Sequence, residues 1–182
     1  MTFVKKYSTL LLFALILISC DSTDPWEFVP PDFSSVPARF DISGIEPTEI
    51  DEGVTAYIIE RGESSPFFVT RRDIAIVKVT LRTVEGDIIF STYANDRDQE
   101  IGIRVADAGT VMQFQGRQTY HQDFLNSPGL QKGLLGMKEG EIRTLIVEPE
   151  QGYKNTAWAI PNEEYRNSTL VYDIHIMQIE PS

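Results

Sequence analysis

The stretch Ser127-Pro-Gly-Leu-Gln-Lys-Gly-Leu-Leu-Gly-Met-Lys-Glu-Gly-Glu-Ile-Arg143 carries a helix start, a helix stop and the entrance to a strand within 17 residues. Ser127 supplies an N-cap oxygen and Pro128 suits the first helical position, where its missing N–H is not needed. Leu130 and Leu134 fall at i and i+4, so they share one face of a short helix, and Gly136 offers the left-handed stop. Glu141 to Val147 (EIRTLIV) then takes up strand alternation. One short helix feeding directly into a strand points to an α+β arrangement.

Working outward, the flanks are β-rich. Val54 to Glu60 (VTAYIIE) reads as a strand, and Asp73 to Val84 is a long β-branched run whose alternation changes phase near Ile76-Val77, as a bulge would cause. Glu85-Gly86 marks a turn into Asp87 to Ser91, and Ile101, Ile103 and Val105 alternate with Gly102 and Arg104. Thr169 to Ile179 closes the pattern, with Leu170, Tyr172, Ile174 and Ile176 on one face. The expected fold is a twisted, mostly antiparallel sheet with one short helix across a face, occupying residues 53–182 and carrying no internal repeat.

The N-terminal third has a different character. Residues 1–19 place Lys5 and Lys6 before the apolar run Leu10 to Ile18, which is too short to cross about 30 Å of hydrocarbon but has the layout of a secretory signal. Leu17-Ile18-Ser19-Cys20 resembles the lipobox of bacterial lipoproteins, so Cys20, the sole cysteine, is the expected lipidation site and first residue of the mature chain. Residues 20–52 hold five of the ten prolines (Pro25, Pro30, Pro31, Pro37, Pro47) and read as a tether, with Trp26, Phe28 and Phe33 packing on the domain or lying near the lipid. The expected location is the bacterial cell envelope, with the domain facing the periplasm or the exterior.

Composition narrows the chemistry. With Lys+Arg 16 against Asp+Glu 27 the chain carries −11, and loss of Lys5 and Lys6 with the signal takes it to −13. Such an acidic chain is a poor partner for nucleic acid, which needs a clustered basic surface to displace counterions, and it cannot hold a membrane by polybasic attraction. One Cys and two His make neither an internal disulfide nor a structural zinc site of the usual kind. There is no Gly-rich phosphate loop, HExxH, GxSxG or paired CxxC. His175 sits mid-strand, out of phase with Tyr172 and Ile174, and reads as a surface residue; His121 lies far from it in sequence. No metal or cofactor is expected.

The helix stretch Gly129 to Arg143, followed by Glu148-Pro-Glu-Gln-Gly-Tyr153, Ala159-Ile-Pro161 and Thr169-Leu-Val-Tyr-Asp-Ile174, resembles the FK506-binding type of peptidyl-prolyl cis–trans isomerase. Gly53 to Glu60, Val77-Lys-Val79 and Glu85-Gly86 with Phe90-Ser-Thr92 fit the same family in the same order, so the resemblance spans roughly residues 53–180. It implies a proline pocket between sheet and helix, proline-containing polypeptides as clients, macrolides as alternative occupants, and no cofactor. It implies Phe90 and Tyr172 as walls, Leu130 as floor, Ile160 at the rim, Ile101 as a further wall and Tyr153 as the hydroxyl donor to a substrate carbonyl. Ser127, at the entrance to the helix, and Val79, in the second long strand, complete the substrate-binding set.

Several positions depart from the family pattern. Val79 stands where a tyrosine is common, Ser91 where an aspartate usually follows the wall phenylalanine, and Leu130 where tryptophan is frequent; Gly86 to Phe90 is one residue longer than usual. That aspartate helps to orient the pocket tyrosine, so Ser91 is expected to weaken turnover more than binding. Between Val105 and Gly129 the chain also carries an insertion, about 106–126, which enters the helix. It would bring Phe114, Tyr120 or Phe124 beside a bound proline as a flap, or form a surface excursion. The leading expectation is a membrane-anchored isomerase that assists the folding of exported proteins; the competing one keeps the fold as a binding module or chaperone without turnover.

Overall fold

A computed structural model of the chain describes residues 30–62, 66–106, 113–115, 124–156 and 163–182. The strands are β1 (Thr48–Asp51), β2 (Val54–Arg61), β3 (Ile74–Thr83), β4 (Ile88–Ser91), β5 (Ile101–Arg104), β6 (Gln113–Gln115), β7 (Glu141–Val147) and β8 (Leu170–Glu180), with helix α1 at Pro128–Leu134. They form one sheet in the order β1-β2-β7-β8-β3-β5-β6, with β4 also on β3. Every pairing described is antiparallel. Among the described residues the expected α+β fold, an antiparallel sheet with a short helix against it, is what the structure has.

β3 organises the sheet. One of its edges pairs with β8 along the whole strand, from Ile74↔Glu180 to Thr83↔Leu170. The other edge is shared: β5 takes Ile74 to Val77 and β4 takes Thr80 to Arg82. The chain between those two partners, residues 92–100, must therefore bow away from the sheet, and it does so through a short 3₁₀ turn at Ala94–Asp96. The register of β3 and β8 shifts between Ile76 and Val77, but the additional residue is Met177 in the partner strand, so the bulge expected in β3 lies in β8 and β3 keeps one phase throughout.

Alternation on β3 sends Ala75, Val77, Val79 and Leu81 inward, all essentially inaccessible, and β8 answers with Leu170, Tyr172, Ile174 and Ile176. α1 lies against this side, burying Leu130 and Leu134. It comes very close to β7, since a Cβ on Gly133 would stand 2.0 Å from a Leu145 methyl and one on Gly129 2.4 Å from a Val147 methyl. Larger residues at either position would push the helix off the sheet. Arg143 secures the far end by donating to the Gly133 carbonyl, a common use of a cation at a helix C-terminus.

The expected 20–52 tether is shorter than the reading of its prolines implies. β1 lies within it and pairs with β2, and from Asp32 onward the chain packs against the domain as a strap. Proline cannot donate a hydrogen bond, but its carbonyl still accepts: Pro37 takes the Arg82 guanidinium. Asp32 and Asp41 make local turns onto the N–H groups of Ser34 and Ser43, which fix the strap without a ladder. Phe33 is half-buried, whereas Trp26, Phe28 and Cys20 lie outside the described residues.

Candidate functional site

The helix entrance sets the site. The Leu130 N–H donates to the Ser127 side chain at 3.2 Å, the cap its sequence position promises, and the same oxygen lies 2.8 Å from the Tyr172 hydroxyl. Ser127 thus ties helix α1 to strand β8, and both of its partners are fully buried. Tyr153, on the loop after β7, completes the cluster. Its hydroxyl lies against that of Tyr172 and donates to the Phe124 carbonyl. Burial pushes the Tyr153 phenol well above its ordinary range, with the Tyr172 hydroxyl adding to it. Burial also raises Tyr172, opposed by its hydrogen-bonding contacts with Ser127 and Tyr153. Both phenols therefore stay neutral at physiological pH and serve as hydrogen-bond donors, not as bases or nucleophiles.

Around these hydroxyls the apolar residues form one cluster. Phe90 on β4 and Ile101 on β5 are 5 % and 7 % exposed, and Val79, Leu130, Tyr153 and Tyr172 are at or below 1 %. The structure brings together Phe90, Tyr172, Leu130, Ile101, Val79, Tyr153 and Ser127. Phe90 and Ile101 sit on the two strands that share the β3 edge, so their separation depends on the bowed segment between them.

Two expectations change. Ser91 does not join the tyrosines. As the neighbour of Phe90 in a strand it faces the other way; its hydroxyl lies 2.9 Å from that of Thr80 and accepts the Tyr93 N–H at 3.1 Å. It braces the turn after β4 and does not polarise the pocket. Tyr153 is not an open donor either. Its hydroxyl is held by the chain's own Phe124 carbonyl at the end of the insertion. Phe124 itself is 5 % exposed, which places this end of the insertion in the core, not on the surface. Phe114, in β6, pairs through its backbone with Ile103, while Tyr120 and Ile160 lie outside the described residues.

Sequence reasoning missed the opposite face of the same strands. Arg82 and Asp173 form an ion pair at 2.8 Å with both side chains buried, Thr144 donates to the same carboxylate at 2.7 Å, and the strap roofs the group. Burial raises the Asp173 carboxyl, against the hydrogen bond from Thr144 and the Arg82 charge. Burial likewise lowers Arg82, against the attraction of Asp173. The signal was present as Arg82 and Asp173 at alternating strand positions, but such residues ordinarily mark a solvated face. His175, expected on the surface, is half-buried beside this group. Among the described residues no cluster of His, Cys, Asp and Glu could hold a metal ion.

Comparison with known proteins agrees with the geometry. Residues 68–177 match the family described as FKBP-type peptidyl-prolyl cis-trans isomerase. A 51-residue segment is 37% identical to peptidyl-prolyl cis-trans isomerase Mip of Chlamydia trachomatis, covering 28% of this chain and 19% of that protein. The aligned part is thus about a fifth of the curated relative. In fold, the chain resembles the N-terminal domain of FKBP42 from Arabidopsis thaliana, with TM-score 0.54 and 21% identity over 81% of this chain and 99% of that one. FkpA from Escherichia coli gives TM-score 0.53 and 20% identity over 76% of this chain and 53% of that one. The match over 68–177 includes both wall strands, the capped helix, Tyr153 and Tyr172, and with it the chain belongs to the FKBP-type peptidyl-prolyl cis-trans isomerase family.

Proposed function

We propose that this protein catalyses cis–trans isomerisation of X–Pro bonds in polypeptide clients, and that a lipid on Cys20 holds it at a bacterial membrane, where it assists the folding of exported proteins. The observation that carries the catalytic reading is the buried set of neutral hydroxyls, Tyr153, Tyr172 and Ser127, framed by Phe90, Ile101, Val79 and Leu130. Rotation about a prolyl bond crosses about 20 kcal/mol because the planar amide is resonance-stabilised. The twisted transition state has lost that resonance and is less polar, so an apolar enclosure favours it over the planar amide. Tyr153 supplies the directed hydrogen bond by exchanging the Phe124 carbonyl for a client carbonyl. No titrating group, metal or cofactor enters the step.

A proline-limited refolding assay tests this. The intact chain accelerates the slow phase, Tyr153→Phe lowers kcat/KM by about tenfold, the loss of one directed hydrogen bond, and Phe90→Ala lowers it further. Absence of acceleration by the unaltered chain refutes the reading. Cys20→Ala moves the protein from the membrane fraction to the soluble one if the lipid is its anchor; unchanged partitioning discards the anchor. A second reading, a client-binding module without turnover, is favoured by the direction of Ser91 and by the engagement of Tyr153 with Phe124. Peptide binding with only background isomerisation decides for it, and the same titration with a macrolide tests that class of occupant.

A further inference from the structure

The strap from Asp32 to Phe40 has no part in the step above, yet four of its hydrogen bonds converge on one short turn. The Asp32 N–H donates to Asn95 Oδ1 at 2.8 Å, and the Asn95 N–H returns to the Asp32 carbonyl at 2.7 Å. Ser35 Oγ donates to the Tyr93 carbonyl at 2.8 Å and accepts the Asp96 N–H at 3.1 Å. The turn they grip holds Asn95 at φ 59° and Asp96 at φ 55°, two consecutive left-handed residues that are not glycine. Such a backbone costs energy and persists only where its surroundings over-determine it. Here the strap supplies four of those constraints. The turn also lies between β4, which carries Phe90, and β5, which carries Ile101; Tyr93 reaches back to Ser91, and Thr92 to Val79 at 3.1 Å.

We propose that the strap is a positioning element of the site: Asp32 and Ser35 hold the 93–96 turn left-handed and thereby set the separation of the two walls, Phe90 and Ile101, between which a proline ring is held. This inference rests on the pocket assignment under Proposed function, and it names positioning residues, not groups that touch a client. Its energetic form is simple. When the turn is released, the walls spend only a fraction of the time at the right separation, and apparent affinity falls by that fraction. The effect therefore appears in KM and in the peptide dissociation constant more than in kcat.

The test uses the full chain in detergent and three variants. Ser35→Ala removes both Ser35 bonds, Ser35→Thr keeps the hydroxyl, and Asn95→Gly removes the Oδ1 acceptor while relieving the left-handed strain. Titration with a fluorescent proline-containing tetrapeptide and amide hydrogen exchange across residues 92–98 are read in parallel. Ser35→Ala and Asn95→Gly are expected to weaken peptide binding about three- to tenfold and to speed exchange across the turn, with Ser35→Thr close to the unaltered chain. Unchanged affinity in both variants, unchanged exchange across the turn, or failure of Ser35→Thr to rescue overturns the proposal. Failure of the unaltered chain to accelerate refolding bears only on turnover, because neither readout requires catalysis.

Discussion

β3 and β8 present two buried faces built from alternate residues of the same two strands. On one side Val79, Leu81, Tyr172 and Ile174 lie in the apolar core, where the Tyr172 hydroxyl bonds that of Ser127. On the other side Lys78, Thr80, Arg82, Asp173 and His175 meet the strap, and the centre is a charged pair. The helix face gains from removing apolar surface from water, about 25 cal/mol per Å². The strap face has to overcome the desolvation of two ions before it gains anything, and burial shifts both partners toward their neutral forms. A buried face thus stabilises the fold in one case, and in the other makes the fold intolerant of losing a partner.

Breaking the strap face produces the largest effect. Asp173→Ala leaves Arg82 buried without its counter-charge and is expected to cost about 4 kcal/mol in urea unfolding, whereas Arg82→Met with Asp173→Leu costs less than that single change. Equal losses would mean the pair is net stabilising and the comparison is wrong. On the helix face Leu130→Ala removes the floor side chain and is expected to cost about 3 kcal/mol, read from the same unfolding curves. Ser127→Ala follows at about 2 kcal/mol, since it removes a helix cap and strands the Tyr172 hydroxyl. Adding Tyr172→Phe to it should recover part of that loss, and strict additivity would show that the two oxygens do not interact.

The smallest effect is on pH dependence, where two aspartates should act with opposite sign. Asp73 is lowered although burial opposes it, because the hydroxyl and N–H of Thr70 and the N–H of Ser182 bond its carboxylate. A lowered folded pKa means a contribution that is present above the unfolded value, about 3.9, and lost as pH falls through the folded one. Asp173 is raised, so its contribution is whole below about 3.9 and fades as pH rises through its folded value. Asp73→Asn should therefore flatten the acid limb of a stability–pH profile. A profile as steep as that of the unaltered chain discards the assignment.

The helix face was legible in the sequence for local reasons. Glu141 to Val147 carries its alternation within seven residues, and Ser127-Pro128 announces its helix without any distant partner. The site residues came from a family pattern; of those within the described residues, the apolar ones and the tyrosines belong to the one apolar core, and Ser91 does not. Its direction followed from strand alternation beside Phe90 and was obscured by the pattern itself. The strap face was not legible, because an Arg and an Asp in strands read as solvent-facing and prolines read as a linker; only the pairing of β3 with β8 brings Arg82 near Asp173. The Phe124 carbonyl left no trace either, since every residue has one.

The strap also bears on how the molecule comes apart. Its contacts on the turn join residues 63, 61 and 58 positions apart, and that turn exists only after β3 has acquired both β4 and β5. Closing such long loops is entropically costly before the receiving surface is complete, so the strap docks late in folding. Contacts that form after the transition state leave the folding rate nearly unchanged and slow unfolding instead. Ser35→Ala should accordingly raise the unfolding arm of a chevron while leaving the refolding arm in place, which makes the strap a brake on unfolding.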